Sequence, residues 1–171
     1  MFYPVLAVAL LVLFGMYALW RAGRLDRLHV RLETARAGLD AALVRRAAVA
    51  LELAASRLLD PATSLLLATA AHEARTADNE RREFAESDLS RALRAVVDQP
   101  GFRTGLGDRA DALLDELETA AQKVAFARRF FNDAVATIRT ARRRMMARAL
   151  PLAGRAQLPE FFEIDDVPPA L

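Results

Sequence analysis

Residues 110–145 read ADALLDELETAAQKVAFARRFFNDAVATIRTARRRM, and this stretch decides the fold. Apolar or small side chains recur in it every seven residues along two rows. The first row is Ala110, Leu117, Val124, Phe131, Ile138 and Met145, and the second is Leu113, Ala120, Ala127, Ala134 and Ala141. Large residues facing Ala let helices approach closely in a left-handed, coiled-coil-like bundle. The repeat therefore predicts a long last helix with a packed seam, capped by Asp108 and ended by Leu150-Pro151.

The composition agrees with an all-α fold. Of the 171 residues, 54% are apolar, and many of these are Ala and Leu, which favour helices. No run of alternating β-branched residues predicts a sheet. Cysteine is absent, which excludes disulfides, thiol catalysis and zinc–thiolate sites. The net charge of +2 does not by itself indicate nucleic-acid binding.

The chain before the last helix predicts further helices. Apolar positions at spacings of three and four extend the first helix to about Leu59, with Arg46 interrupting the stripe. Asp60-Pro61 predicts the start of a second helix that ends near Thr76 and presents Leu65, Leu66, Leu67, Ala70 and Ala71. The polar residues 76–83 indicate a loop, or else a solvated helical stretch. A third helix is predicted from Glu86 to Asp98, with Leu89, Leu93 and Val96 on one face and Gln99-Pro100-Gly101 ending it.

The first residues have the composition of a membrane span. Phe2 to Trp20 read FYPVLAVALLVLFGMYALW without a charged side chain, and about 20 helical residues cross a bilayer core. A cleaved signal peptide is the competing interpretation, but a basic N-terminal region and a small-x-small cleavage site are both missing. Arg21, Arg24, Arg27 and Arg31 follow the span and none precedes it. Basic flanks stay in the cytoplasm, which predicts a single-pass cell-membrane protein with a short N-terminus outside and a cytoplasmic helical domain.

The predicted organisation has three parts. Residues 1–20 form a transmembrane anchor, residues 21–156 an antiparallel helical bundle with long first and last helices, and residues 157–171 an extended acidic and aromatic tail. Pro and acidic residues in the tail predict an extended and partly disordered segment, and Phe161 and Phe162 are candidates to pack on the bundle.

Five short motifs, in order, resemble the LemA family. They are Asp40 with the Arg45-Arg46 pair, His72-Glu73, Glu86–Leu93, the aromatic-Asn segment Ala127–Val135, and Phe161-Phe162-Glu163. With the N-terminal anchor, the resemblance covers nearly the whole chain. It implies a bacterial, membrane-attached helical protein with a short external N-terminus and no established enzymatic activity. The chain departs from the family's pattern at Arg36, at Leu51-Glu52 and at Ile138-Arg139.

The end of the last helix is a candidate interaction site. From residue 134 to residue 159 there is no acidic residue, while Arg is frequent and includes Arg142, Arg143 and Arg148. A solvated helix end explains this cluster most simply. Binding to anionic lipid headgroups is the next interpretation, and nucleic-acid binding is the least favoured.

Three further residues are candidate interaction residues. Asn132 follows a seam position and is predicted to hydrogen-bond across helices and fix their register, with a ligand contact as the alternative. Phe161 and Phe162, flanked by acidic residues, are predicted to form a short docking segment for a protein partner.

The residues predict no enzyme, because no acid–base pair or nucleophile can be assigned, and no cofactor or metal ligand set is apparent. The first functional hypothesis is a non-enzymatic membrane-tethered scaffold or adaptor, attached to the bilayer through residues 1–20 and binding an unknown protein. The alternative is a membrane-surface sensor that uses the basic last helix to detect lipid charge.

Overall fold

The computed structural model describes the backbone of residues 2–99, 102, 110–146 and 158–169. Within the helices it leaves out the side chains of residues 2, 4, 5, 7–9, 18–26 and 144–146. Four helices lie within the described residues: α1 (Phe2–Ala55), α2 (Pro61–Thr76), α3 (Arg82–Val97) and α4 (Asp111–Met146). No strand occurs in the described ranges, so the all-α prediction is confirmed.

α1 is the central helix of the bundle. α2 and α4 both pack against it, α3 packs mainly on α2, and α3 touches α1 along a short stretch. Arg31 lies over the ring of Phe130, and Arg45 pairs with Glu116. These two pairs are fourteen residues apart on each helix and in opposite order, so α1 and α4 are antiparallel.

Helix α1 is shorter, and its connection to α2 longer, than the sequence predicts. α1 ends at Ala55 rather than near Leu59, because Arg57 adopts a left-handed conformation with φ of 62°. Asp60 caps α2 as predicted. Its carboxylate accepts hydrogen bonds from the amides of Ala62 and Thr63 at 3.0 and 3.1 Å.

The loop between α2 and α3, in contrast, is shorter than predicted. It covers residues 77–81, and α3 begins at Arg82, four residues before the predicted Glu86. The Asp78 carboxylate accepts the amide of Arg81 at 3.0 Å, which organises the turn that starts α3. Polar residues beyond this turn extend the helix because they face solvent or a neighbouring segment.

Small residues allow the close approach of α1 and α2. Ala47, Ala50 and Ala54 on α1 belong to the same buried cluster as Ala71 and Ala74 on α2. The cluster continues to Leu89 and Leu93 on α3 and to Leu117 and Ala120 on α4. The predicted α3 face is confirmed, since Leu89, Leu93 and Val96 are all buried.

The α2 face was predicted too wide. Leu67 and Ala71 are buried, but Leu65 and Leu66 are 69% and 54% exposed. Residues one apart lie about 100° apart around a helix, and α2 is covered only on the side that faces α1 and α3.

The predicted seam of α4 faces the bundle, and a third row adds to it. Of the seam, Ala110, Leu117, Ala120, Val124, Ala134 and Ile138 are buried. Leu114, Ala121 and Val135 are buried too, again at multiples of seven residues. The predicted cap Asp108, the Met145 side chain and the predicted end at Leu150-Pro151 lie outside the described residues.

The N-terminal part of α1 extends from the bundle. Leu10, Leu11, Val12, Leu13 and Phe14 are each between 56% and 70% exposed, although they point to every side of the helix. No helix within the described residues is both long and apolar enough to span a bilayer. Of the predicted anchor, residues 1–20, the structure does not describe Met1 or the side chains of residues 2, 4, 5, 7–9 and 18–20.

Candidate functional site

A buried ion pair joins α1 to α3. The guanidinium of Arg46 donates to the Glu86 carboxylate at 2.8 Å, to the Ser90 hydroxyl at 2.8 Å and to the main-chain oxygen of Glu86 at 3.1 Å. Arg46, Glu86 and Ser90 are only 2–3% exposed. The Arg46 Nε atom is buried without a hydrogen-bond partner. Arg46, which interrupts the apolar stripe in sequence, is therefore part of the core.

Burial and the neighbouring charge shift the pKa of Glu86 in opposite directions. Burial raises the pKa of Glu86 above its ordinary value, while the charge of Arg46 and its hydrogen bond lower it, and burial prevails. Arg82 forms a second link between the same helices, at 3.0 Å from the Asp40 carboxylate. Because Asp40 and Arg46 meet Arg82 and Glu86 in the same order, α1 and α3 run parallel.

The tail, residues 158–169, lies in a groove between α3 and α4. These two helices do not pack directly on each other along their described lengths, and the tail bridges them. Along α4 the tail contacts Arg139 first, then Asn132, then Arg128, so it runs antiparallel to α4. Along α3 it contacts Glu83, Ser87 and Arg94 in sequence order, so it runs parallel to α3. We call this arrangement the tail groove.

The side chain of Asn132 holds the main chain of the tail. Its amide nitrogen donates to the Phe162 carbonyl at 3.1 Å, and its amide oxygen accepts from the Phe162 amide at 2.9 Å. The prediction that Asn132 bonds across helices is wrong in its partner: the side chain bonds to the tail. The physical reason is that an extended segment has main-chain groups left unpaired, and these are the nearest partners.

Other groove residues also bind the tail's main chain. The amide of Glu163 donates to the Glu83 carboxylate at 2.9 Å, and the amide of Asp165 donates to the Ser87 hydroxyl at 3.2 Å. Arg139 donates to the Pro159 carbonyl at 2.8 Å. Most of the groove's hydrogen bonds therefore depend on an extended backbone rather than on particular side chains.

The two consecutive aspartates of the tail each meet an arginine. Asp165 pairs with Arg94, which also donates to the Val167 carbonyl at 3.0 Å. Asp166 accepts from Arg128 Nε at 2.7 Å. The hydrogen bonds from Arg94 lower the pKa of Asp165 below its ordinary value.

Alternate tail residues face the bundle. Phe162 and Ile164 pack against a buried cluster of Leu39, Leu43 and Val124, against which Ala127 and Phe131 also pack. Phe161 faces outward, 37% exposed, with the Arg139 guanidinium 4.7 Å from its ring centroid. The structure thus brings Asn132, Phe161 and Phe162 together at one site.

The basic candidates lie elsewhere. Arg142 and Arg143 are on the last turns of α4, Arg143 is exposed, and Arg148 lies outside the described residues. Arg142 is twelve residues beyond Phe130 on α4, and Leu19 is twelve residues before Arg31 on α1. An antiparallel register continued from the Arg31–Phe130 pair would bring these two positions to the same level.

No family model, no curated protein and no solved structure matches the chain.

Sequence reasoning missed the arginines that hold the tail. Arg128 stands in the seven-residue row of Leu114, Ala121 and Val135, so a charge within an apolar row was the available signal. Similarly, Glu86 and Ser90 are four residues apart on the apolar face of α3, opposite the interrupting Arg46. Arg94 carries no comparable signal.

Proposed function

We propose that the chain is a non-enzymatic adaptor tethered to the cell membrane by residues 1–20. The observation that carries the tether is the exposure of the apolar residues from Leu10 to Phe14 on all sides of α1. A helix that is apolar all round requires either a protein or a lipid environment, and the bundle does not cover this one. The basic residues that follow the stretch favour a cytoplasmic bundle and a short external N-terminus.

We propose membership of the LemA family on the residues that carry the resemblance. Arg46 of the Arg pair meets Glu86 and Ser90 of another motif at hydrogen-bond distance. Asn132 meets Phe162 in the same way. Residues shared with the family thus supply contacts that hold these helices and the tail together, which supports the proposal.

The tether is tested by membrane fractionation of the full chain. The wild-type chain is expected to stay in the membrane pellet through alkaline carbonate and urea washes and to need detergent for release. Leu11→Arg/Leu13→Arg places two charges in the apolar stretch and is expected to release the protein. The matched control is Leu65→Arg/Leu66→Arg, which changes exposed apolar residues of the bundle. Release of the wild-type chain by washing alone would refute the tether.

A second function, sensing of lipid charge, is favoured by one observation. The pairs Arg31–Phe130 and Arg45–Glu116 set an antiparallel register that, continued along both helices, would bring the basic end of α4 level with the end of the proposed anchor. A juxtamembrane basic residue gains about 1 kcal/mol near an anionic leaflet. In that register Arg142 and Arg143 would contact anionic headgroups next to the tether.

This second function is tested with the full chain in nanodiscs. A fluorophore on Thr140→Cys is expected to be quenched by headgroup-attached quenchers more strongly in anionic than in neutral lipid, and less so at high salt. Arg142→Glu/Arg143→Glu is expected to remove the difference, and Arg75→Glu on α2 serves as control. Quenching that ignores lipid charge would eliminate the sensor.

A further inference from the structure

The tail groove has the features of a peptide-binding site that is occupied by a segment of its own chain. The side chains of Asn132, Glu83 and Ser87 form hydrogen bonds with the main chain of the extended tail. The apolar floor of the groove takes two side chains in alternate positions, here Phe162 and Ile164. These two modes together are those by which proteins recognise extended peptides: main-chain hydrogen bonds add affinity and alternate pockets add specificity.

The charges of the groove complete the specificity. Arg94 and Arg128 lie on opposite walls, and each binds one of two consecutive carboxylates, Asp165 and Asp166. Among the described residues, the side-chain hydrogen bonds seen for both arginines go to the tail. A segment that fits must therefore carry two alternate apolar residues followed directly by two acidic residues.

We propose that the tail groove binds in trans an extended peptide of this pattern, apolar-x-apolar-acidic-acidic, that belongs to another protein, and that the chain's own tail competes for the same place. This inference rests on the adaptor function proposed above and names its partner by chemistry. A second copy of the chain is a poorer occupant, because its tail already has a groove of its own. A segment from a protein without such a groove has no competing site.

Competition by the tail sets the expected strength of binding. The tail is joined to α4 through eleven residues, 147–157, and begins beside Arg139, so it returns to the groove over a short distance. A short tether corresponds to an effective concentration of the order of millimolar. An external peptide with the same contacts therefore binds weakly unless the tail is loosened.

The experiment uses the full chain in detergent micelles and a fluorescent synthetic peptide with the sequence of residues 158–169. Phe162→Ser/Ile164→Ser loosens the tail and leaves every groove residue unchanged. This variant is expected to bind the peptide at least tenfold more tightly than the wild-type chain. A second loosened variant, Asp165→Asn/Asp166→Asn, is expected to behave likewise, so a folding defect in one does not decide the result.

Substitutions in the groove separate specific from general binding. In the Phe162→Ser/Ile164→Ser chain, adding Asn132→Ala or Arg128→Ala is expected to weaken peptide binding at least tenfold. Arg129→Ala, at the exposed neighbouring position, is the matched control and is expected to change nothing. A peptide with Asn at both acidic positions is expected to bind more weakly.

Three outcomes would overturn the inference. The first is that both loosened chains keep a helical circular dichroism spectrum and do not bind the peptide. The second is binding that Asn132→Ala and Arg128→Ala leave unchanged. The third is a concentration-dependent wild-type dimer joined through exchanged tails, which assigns the groove to a second copy. Because the chain is in detergent, failure of the membrane tether leaves this result unaffected, and failure here leaves the fractionation result standing.

Discussion

Arg46 on α1 and Glu86 on α3 form an ion pair at 2.8 Å in which both side chains are almost completely buried. Burying charge costs free energy that the attraction of the pair offsets only when hydrogen bonds satisfy the rest of both groups. Here Ser90 and the Glu86 carbonyl supply such bonds, while Arg46 Nε stays unpaired. We therefore expect the pair to specify how α1 and α3 are aligned more than it adds to net stability.

Arg46→Met is expected to lower the free energy of unfolding by about 3–5 kcal/mol, because it leaves the Glu86 carboxyl buried without its partner. Arg46→Met/Glu86→Met is expected to recover much of that loss, since neither charge remains. Urea unfolding of the full chain in detergent, followed by circular dichroism, measures both. Arg45→Met is the control, because its partner Glu116 and Arg45 itself are exposed and such pairs contribute at most about 1 kcal/mol. Equal losses at both positions would contradict the buried-pair account.

Glu86→Gln is expected to change how stability depends on pH. Burial raises the pKa of Glu86 above its ordinary value of 4.5, so the folded state favours the protonated carboxyl. That contribution is fully present below pH 4.5 and is lost as the pH rises through the raised pKa. Unfolding free energies measured from pH 4 to pH 8 are therefore expected to fall more in the wild-type chain than in the variant. A wild-type minus variant difference that does not change with pH would contradict the raised pKa.

Asn132→Ala is expected to loosen the tail without unfolding the bundle. The substitution removes both hydrogen bonds to Phe162, and an amide or carbonyl left without its partner costs about 1–3 kcal/mol where it is buried. Hydrogen–deuterium exchange is expected to accelerate at the amides of residues 161–166 and to stay slow in the α1–α2 core. Asp133→Ala, the exposed next residue, is the control. Unchanged exchange in the tail would show that Asn132 does not hold it.

Asp165→Asn is expected to remove part of the tail's response to acid. Arg94 lowers the pKa of Asp165 below 3.8, so the docked tail favours the carboxylate. Its stabilisation is present above pH 3.8 and is lost as the pH falls through the lowered pKa. A fluorophore on Val167→Cys, in a chain without native cysteine, reports the docking through its anisotropy. The wild-type anisotropy is expected to fall in acid more than that of the variant, whose tail is already looser at neutral pH.

The wild-type chain and the variant have the same other acidic groups, so comparing their two titrations removes the contribution of those groups to the anisotropy. If the two anisotropy curves differ by a constant from pH 7 to pH 2, the ion pair with Arg94 does not stabilise the tail.

The helical class of this protein follows from sequence alone, because local rules govern it. The seven-residue repeat of α4 and the Asp60-Pro61 cap of α2 act over a few residues, so each can be read without knowing the fold. The boundary at Ala55 does not follow from sequence alone, since one left-handed residue, Arg57, ends the helix early.

Only the tertiary structure decided what Arg46 and Asn132 contact. Their partners lie forty and thirty residues away along the chain, and the spacing of residues does not encode such pairings. The groove that receives the tail exists because α3 and α4 stand apart on either side of α1. That separation arises from the packing of whole helices, and it places main-chain groups, carboxylates and arginines together only after the bundle has formed.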